Sequence, residues 1–207
     1  MGFGNQGHRT VLIEKGTSYQ HDPEWRPVLM TIAEFIDNHL LHHDKNAPIH
    51  YLAQNELFEQ VPELASLIQV PDYIEFDPEA LGDIDDGAGD NGIRSAKVRS
   101  TIWFGPGGTR SPLHNDPQNN LLCQVVGRKY IRLYDDEHRG EILSGDELDS
   151  NTSSIDLTDP NRNGEFSKVP FLEGVLKPGD LLFIPKGMWH YVESLSTSFS
   201  VNFWWWF

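Results

Sequence analysis

Cysteine, basic residues and long apolar runs are all scarce in this sequence of 207 residues. Its one cysteine, Cys123, excludes an internal disulfide and predicts a reducing compartment, where that side chain packs as a small apolar group. Lys and Arg number 16 against 31 Asp and Glu, and the net charge of −15 argues against direct nucleic-acid binding. No segment approaches the roughly 20 apolar residues of a membrane helix, and no signal-peptide pattern opens the chain. We therefore expect a soluble, intracellular protein that is neither secreted nor membrane-bound.

The composition that is present indicates one domain rich in turns and short strands. Hydrophobic residues make up 38% of the chain, with 13 Pro and 18 Gly. From Thr101 onward, strand candidates follow one another without intervening helices. They are 101–104, 113–116, 121–126, 129–134, 181–184, 189–193 and 198–206. This succession predicts an antiparallel sandwich or barrel.

The remainder of the chain divides into a tail, a helical flank and a polar insert. Residues 1–8 read as a tail, disordered or added for expression, and a single domain is expected over 9–207. Its flank, 9–70, holds a strand at 10–14, a helix opened by the capping box Thr31-Ile32-Ala33-Glu34, and short helical turns interrupted at Pro62. The barrel core spans about 98–207, with a polar insert at 135–170.

The acidic run at 83–90 is predicted to be a solvated loop. The net negative charge of the protein is compatible either with steering of a basic peptide or with solubility alone.

Two histidines and an aspartate carry the strongest chemical signal. His114 and Asp116 are one residue apart, so on a strand they would point to the same face. The turn Lys177-Pro178-Gly179-Asp180 and the apolar run 181–184, expected to be a buried strand, lead to His190. Two imidazoles and one carboxylate form the facial ligand set of non-haem Fe(II) sites, which leaves positions open for a chelating co-substrate and O₂. We predict that His114, Asp116 and His190 are metal ligands and the catalytic centre.

A chance His-x-Asp pair is the alternative. The predicted strands around His114 and Asp116 and before His190 favour the metal site. A second cluster, His39, His42 and His43, lies on the flanking helix. It lacks acidic or cysteine co-ligands at metal spacing, so a polar helix face is the preferred interpretation.

Lys129 is predicted to point into the barrel. After the tight turn Gly127-Arg128, strand alternation puts Lys129 on one face with Ile131 and Leu133. A buried ammonium requires an anion, and the distal carboxylate of a 2-oxo acid bound at the metal would supply it. A lysine that reaches solvent from a strand end is the alternative. Tyr51, Ser111 and Asn120 are plausible hydrogen-bonding companions, with Asn120 expected to begin a strand beside the metal pair. In the C-terminal run, Trp204 and Trp206 are expected on one face and Trp205 on the other.

Several runs of the sequence resemble one protein family. The runs are Tyr51-Leu52-Ala53-Gln54, Trp103-Phe104-Gly105-Pro106, Ser111-Pro112-Leu113-His114-Asn115-Asp116-Pro117, Gly127-Arg128-Lys129-Tyr130-Ile131-Arg132-Leu133-Tyr134 and Phe199-Ser200-Val201-Asn202-Phe203-Trp204-Trp205. They are similar to the Jumonji-C (JmjC) oxygenases, and most of all to the Jumonji-domain-containing protein five (lysine demethylase eight) subgroup. The resemblance runs from about Arg9 to the end of the chain. Members carry a further portion before the stretch that matches Arg9-Thr10-Val11.

The resemblance implies a mainly β fold, a double-stranded β-helix (cupin, jelly-roll) barrel with a few N-terminal flanking helices. It implies Fe(II) held by His114, Asp116 and His190, with 2-oxoglutarate and O₂ as co-substrates. Lys129 and Tyr51 would hold the distal carboxylate, Ser111 and Asn120 would lie nearby, and Trp204 would line the pocket.

The implied activity is hydroxylation of an arginyl side chain or demethylation of methyl-lysine in a basic protein, such as a histone or a ribosomal protein. The implied location is the nucleus, the cytoplasm or both. Two other classes stay open at this point: a metal-dependent peptidase acting on histone tails, and a non-catalytic cupin binding module. The sequence does not indicate an oligomeric state.

Overall fold

The computed structural model describes residues 6–42, 47–74, 98–143, 150–159, 166 and 168–206, except the side chain of Tyr73. Its strands are β1 Thr10–Lys15, β2 Arg26–Thr31, β3 His50–Asn55, β4 Arg99–Gly105, β5 Arg110–His114, β6 Asn119–Val126, β7 Lys129–Tyr134, β8 Leu172–Leu176, β9 Leu181–Ile184, β10 Trp189–Ser194 and β11 Ser198–Trp205. Its α-helices are α1 Ile32–Ile36, α2 Leu57–Gln60, α3 Pro62–Ala65 and α4 Arg139–Ile142. A π-helical turn, Asp37–Leu41, and 3₁₀ turns at Asp72–Ile74 and Asp136–His138 complete the described elements.

The strands form two sheets between which the chain alternates. One is seven-stranded, in the order β2-β1-β3-β4-β11-β6-β9, and the other is four-stranded, in the order β5-β10-β7-β8. Neighbouring strands are antiparallel in both sheets. From β4 to β7, and again from β8 to β11, each strand lies in the sheet opposite to the one before it. This alternation is that of a jelly-roll barrel, so the predicted mainly β fold with a few flanking helices is confirmed.

The helices of the flank pack on the outer face of the larger sheet. Thr31 and Glu34 form the predicted capping box: Thr31 N donates to Glu34 Oε2 at 2.8 Å, and Glu34 N donates to Thr31 Oγ1 at 3.1 Å. Pro62 separates α2 from α3, as predicted. The apolar side chains of these helices pack on outward-facing side chains of β4, β6 and β11.

Alternation along β11 separates this outer core from the interior of the barrel. Val201, Phe203 and Trp205 belong to the outer core. Asn202 and Trp204 therefore point the other way, into the space between the sheets, where both line a cavity. A single strand thus anchors the helices on one side and supplies the site on the other.

The strand predicted before His190 is present as β9, but the prediction that it is buried is wrong. Leu181 is 48% exposed and Phe183 is 51% exposed. The reason is that β9 lies at the edge of the seven-stranded sheet and has a partner on one side only. Trp206 is also misassigned, since β11 ends at Trp205 and the Trp206 side chain is 55% exposed.

Three strands, β2, β3 and β8, were not predicted. β2 and β8 are edge strands with few buried side chains, so they lack the alternation by which strands are recognised. β3 pairs with β1 and β4 and is interrupted by a register shift between Leu52 and Asn55.

Some of the predictions concern residues outside the described ranges. Residues 1–5 of the predicted tail, His43, the acidic run 83–90, and 144–149, 160–165 and 167 of the polar insert lie outside the described residues. The division into tail, flank, core and insert stays a prediction. Within the described ranges, no helix combines the length and the apolar composition that crossing a membrane requires.

Candidate metal centre and adjoining cavity

His114 and His190 lie directly opposite each other on paired strands. His114 ends β5, His190 is the second residue of β10, and the two are antiparallel partners in register. Their ring centroids are 4.2 Å apart. Side chains of directly opposed residues on one face of a sheet are close neighbours, so the pairing itself brings the two imidazoles together.

Backbone carbonyls orient both rings. His114 Nδ1 lies 2.7 Å from the carbonyl oxygen of Pro112, and His190 Nδ1 lies 3.0 Å from that of Met188. Because a carbonyl only accepts, each Nδ1 carries a hydrogen and donates it, so the neutral form of each ring has its lone pair on Nε2. Burial, followed by the neighbouring His190, lowers the pKa of His114 to about 4, so this ring is neutral at physiological pH.

Asp116 does not share a strand with His114, contrary to the sequence prediction. β5 ends at His114. The backbone N–H of Asn115 donates to the carbonyl of Asn151 at 2.9 Å rather than to a sheet neighbour, and Pro117 has no N–H to continue a ladder. Gly187 N, in the turn before β10, donates to the Asp116 carbonyl at 2.8 Å. Asp116 is therefore held by a loop contact next to His190.

The three side chains converge on one point. Asp116 Oδ2 lies 3.9 Å from His114 Nε2 and 3.4 Å from His190 Nε2, and one ligand atom from each residue lies within 4.8 Å of the others. Burial raises the pKa of the Asp116 carboxyl, but His190 and His114, when protonated, outweigh it and hold that pKa below its usual value. The group is thus one carboxylate and two imidazoles facing a common centre.

This arrangement fits a bound cation. Asp116 Oδ2 is buried without a hydrogen-bond donor among the described residues. Three atoms that present lone pairs to one another repel unless a positive charge lies between them. Two imidazoles and one carboxylate are the donor set that non-haem Fe(II) sites use, with the remaining positions open. His114, Asp116 and His190 can therefore hold such an ion.

The second histidine cluster does not form a comparable group. His114, Asp116 and His190 are the metal-type group found within the described residues, and neither His39 nor His42 belongs to it. The ring of His39 stacks instead on His50, with centroids 3.7 Å apart. The polar-face interpretation of this helix is consistent with that packing.

Lys129 points into the barrel, as strand alternation predicted. Its side chain is buried at the start of β7, and Nζ donates to the hydroxyl of Tyr51 at 3.1 Å. Nζ also lies 5.7 Å and 5.9 Å from the ring centroids of Tyr51 and Trp103. Burial lowers the pKa of this ammonium to about 7. Among the described residues no carboxylate forms an ion pair with it, so its charge requires an anion from elsewhere.

One cavity joins Lys129 to the histidines. It is lined by six of the predicted site residues, namely Ser111, His114, Asn120, Lys129, His190 and Trp204. Trp204 is fixed there by donation from Nε1 to Thr101 Oγ1 at 3.0 Å. Asn120 reaches the cavity from β6, which belongs to the sheet opposite β5, so the prediction that its strand runs beside the metal pair is wrong. The two ends of the cavity thus differ in charge.

A second opening lies next to this cavity. The predicted site residues Tyr51 and Asp116 line it, and so do Glu14, Tyr19 and Trp103, which the sequence did not indicate. Glu14 Oε2 accepts a hydrogen bond from Trp25 Nε1 at 3.3 Å, and burial raises the pKa of the Glu14 carboxyl. Glu14 ends an unremarkable apolar run, 10–14, and no local signal distinguishes it from a surface acid. Only the pairing of β1 with β3, which sets Glu14 opposite Tyr51, brings it here.

Comparison with known proteins agrees with this fold. The family described as the cupin-like domain matches residues 13–206. Lysine-specific demethylase 8 of Danio rerio is 46% identical over 202 residues, covering 96% of this chain and 46% of that protein. Jumonji C domain-containing protein 5 of Drosophila melanogaster is 41% identical, covering 96% of this chain and 47% of that protein.

The solved structure of the E. coli protein ycfD matches this chain with a TM-score of 0.54 and 14% sequence identity. The match covers 98% of this chain and 44% of the ycfD chain. That likeness concerns the fold alone. The chain spans less than half the length of the relatives named above. The match over nearly its whole length is nonetheless sufficient to assign it: the chain belongs to the cupin-like domain family and, within it, to the JmjC proteins.

Proposed function

We propose that this protein is an Fe(II)- and 2-oxoglutarate-dependent oxygenase that modifies a basic side chain of a protein. One observation carries the proposal. A single cavity has a metal-type cluster of acceptors, His114 and His190 with Asp116 beside them, near the buried ammonium of Lys129, which has no anionic partner among the described residues. A dicarboxylate with a 2-oxo group at one end matches both features.

The residues divide the binding of that co-substrate between them. His114, Asp116 and His190 would hold the metal, which the 2-oxo and adjacent carboxylate groups would chelate. Lys129 and the hydroxyl of Tyr51 would receive the distal carboxylate, since a buried ion pair requires further hydrogen bonds to offset desolvation. Ser111 and Asn120 offer hydrogen bonds along the cavity, and the indole of Trp204 forms part of its wall.

When iron, 2-oxoglutarate and O₂ are bound, they supply the oxidising chemistry, which converts 2-oxoglutarate to succinate and CO₂ while the substrate is hydroxylated. The protein holds the ligands, aligns the co-substrate and positions the target. The Nδ1 contacts of His114 and His190 with backbone carbonyls would hold both rings with Nε2 toward the metal.

The second opening favours a basic target. Glu14 and the aromatic rings of Tyr19 and Trp103 line it beside Asp116, and Arg110, which also lines it, has its charge offset by Glu193 at 3.7 Å. A carboxylate flanked by aromatic faces suits a guanidinium or a methylated ammonium group. We therefore propose arginyl hydroxylation or methyl-lysine demethylation in a basic protein such as a histone or a ribosomal protein, in the nucleus or the cytoplasm. The names of the relatives, which include lysine-specific demethylases, support the same class.

Anaerobic addition of Fe(II) and 2-oxoglutarate tests the core of the proposal. We expect a weak visible charge-transfer band, and succinate after O₂ and a basic peptide are admitted. Mass spectrometry should find a gain of one oxygen on an arginine, or loss of a methyl group from a lysine. Peptide cleavage that is metal-dependent but independent of 2-oxoglutarate would favour the peptidase instead. Absence of both the band and succinate would favour a binding module.

A further inference from the structure

A pair of buried amides faces the cavity, and only one of them was expected there. Asn202 of β11 and Asn120 of β6 both line it, with exposed fractions of 3% and 2%. Asn202 Nδ2 donates to Asn120 Oδ1 at 2.8 Å. The two strands are neighbours, with Asn202 opposite Leu122, so the bond runs diagonally between residues on the same inner face.

This bond determines which way the Asn120 amide points. An asparagine amide presents an acceptor on one side and two donors on the other. Because the Asn120 oxygen is committed to Asn202, its NH₂ group is directed away from Asn202. Among the described residues that NH₂ group has no acceptor, which leaves it available to a ligand in the cavity.

A neighbouring pair on the same strands shows the contrast. Ser200 Oγ donates to Gln124 Oε1 at 2.8 Å, and Gln124 Nε2 donates to the carbonyl of Val126 at 2.7 Å. That pair is satisfied within the protein, and neither residue lines the cavity. In the asparagine pair, by comparison, Asn202 Oδ1 is buried with no donor among the described residues. Buried polar groups that the protein itself leaves open point toward a ligand.

We propose that Asn202 is a positioning residue for co-substrate binding. By donating to Asn120 Oδ1, it holds the Asn120 amide with its NH₂ group toward the cavity, where that group donates to a carboxylate of 2-oxoglutarate. The reverse orientation would present the Asn120 carbonyl oxygen to the anion and repel it. The inference rests on the proposed function, because 2-oxoglutarate is the anion concerned.

A double-mutant cycle separates positioning from a merely structural role. The dissociation constant of 2-oxoglutarate is measured by calorimetry, with Mn²⁺ as the metal, for wild type, Asn202→Ala, Asn120→Ala and the double variant. We expect Asn202→Ala to weaken binding about tenfold, the effect of losing a well-directed hydrogen bond to a charged group. The double variant should bind no more weakly than Asn120→Ala, because Asn202 acts through Asn120. Mn²⁺ affinity should stay unchanged in Asn202→Ala.

Two further variants guard against effects on folding. Ser200→Ala removes a buried hydrogen bond from the same strand and should leave 2-oxoglutarate affinity as in wild type. Asn202→Asp keeps the shape of the side chain, but its carboxylate attracts the Asn120 NH₂ group and turns the amide around. Its loss of affinity should exceed that of Asn202→Ala.

The outcomes are distinct. Losses that multiply in the double variant, or unchanged affinity in Asn202→Ala or Asn202→Asp, would overturn the role of Asn202 while leaving the oxygenase intact. Ser200→Ala weakening binding as much as Asn202→Ala would also overturn it. Absence of 2-oxoglutarate binding by the Mn²⁺-loaded wild-type protein would overturn the proposed function and this inference together.

Discussion

Lys129 Nζ lies 3.1 Å from the hydroxyl oxygen of Tyr51, a contact between the first residue of β7 and a residue of β3 in the other sheet. The contact joins the two sheets at the positively charged part of the cavity, which is lined by Lys129, whereas the metal cluster lines the part rich in hydrogen-bond acceptors. It gives the ammonium one hydrogen bond but no counter-ion among the described residues. The site is consequently arranged to gain from binding an anion.

Replacing the lysine should remove that gain. We predict that Lys129→Ala weakens 2-oxoglutarate binding by about 3–5 kcal/mol, on the order of a hundredfold or more, because the distal carboxylate would be buried without a partner. Calorimetry with the Mn²⁺-loaded protein measures this. Lys168→Ala, at an exposed lysine, is the control and should bind normally. An unchanged dissociation constant for Lys129→Ala would remove Lys129 from the co-substrate site.

The affinity for 2-oxoglutarate should depend on pH through the same lysine. Its pKa is about 7 in the ligand-free protein, and a bound carboxylate favours the charged form and raises that pKa. Affinity should therefore be level below about pH 7 and fall up to about tenfold per pH unit above it. Binding at pH 8 should take up a proton, detectable by calorimetry in buffers of different ionisation enthalpy. Equal affinity from pH 6 to 9, without proton uptake, would contradict this.

The ligand-free protein should show the opposite trend in stability. The fold lowers the pKa of Lys129 from 10.5 to about 7, so between these values the unfolded chain binds more protons. Stability against unfolding consequently rises with pH across that window, and the lysine's penalty is present in full below pH 7. Urea titrations of wild type and Lys129→Met should show that the variant lacks this contribution. The same pH dependence in both proteins would argue against a buried ammonium.

The metal cluster should depend on each of its ligands. We predict that His190→Ala abolishes succinate formation and the rise in melting temperature that Mn²⁺ produces in the wild-type protein, because a ligand that binds only the folded state stabilises it. The barrel should remain folded, as judged by circular dichroism. His42→Ala, at an exposed histidine outside the cluster, is the control. Near-normal turnover in His190→Ala would refute its role as a ligand.

Glu14 should affect the protein substrate and not the co-substrate. We predict that Glu14→Gln lowers kcat/KM for a basic peptide at least tenfold, because a half-buried carboxylate contributes more than a neutral amide to binding a cation. The dissociation constant of 2-oxoglutarate should stay as in wild type. Glu24→Gln, at an exposed acid on the same flank, should behave as wild type. Equal effects of both substitutions would indicate that only overall charge matters.

Position 127, in the turn before Lys129, should tolerate only glycine. Gly127 has φ of 75°, and a Cβ atom there would lie 2.0 Å from the carbonyl oxygen of Thr197. We predict that Gly127→Ala lowers the free energy of unfolding by about 2 kcal/mol or more, since backbone must move to relieve the contact. Gly140→Ala, where a Cβ would meet nothing within 4 Å, is the control and should be neutral or slightly stabilising in its helix. Equal stability of the two variants would contradict this account.

Much of the site could be predicted because its signals are local. Alternation along 129–134 put Lys129 on the inner face, and the structure has that strand with the predicted bounds. The capping box at Thr31 and Glu34 and the helix break at Pro62 are likewise decided within a few residues. Each depends on backbone geometry and side-chain chemistry that neighbours in the chain supply themselves.

Other features depend on which strands become partners, and no local pattern carries that information. Asp116 leaves the strand because Asn115 bonds to Asn151. Leu181 is exposed because β9 is an edge strand, although its apolar run resembles a buried one. Glu14 and Asn202 enter the site only through the pairing of β1 with β3 and of β11 with β6.

The sequence by itself therefore determined the fold class, the ligand types and the inward face of the lysine strand, because these follow from residue chemistry and a period of two. The tertiary structure alone decided how the metal cluster is held, which acid enters the second opening and which amide orients Asn120. Those relationships join residues far apart in the chain, and they exist only once the two sheets have closed on each other.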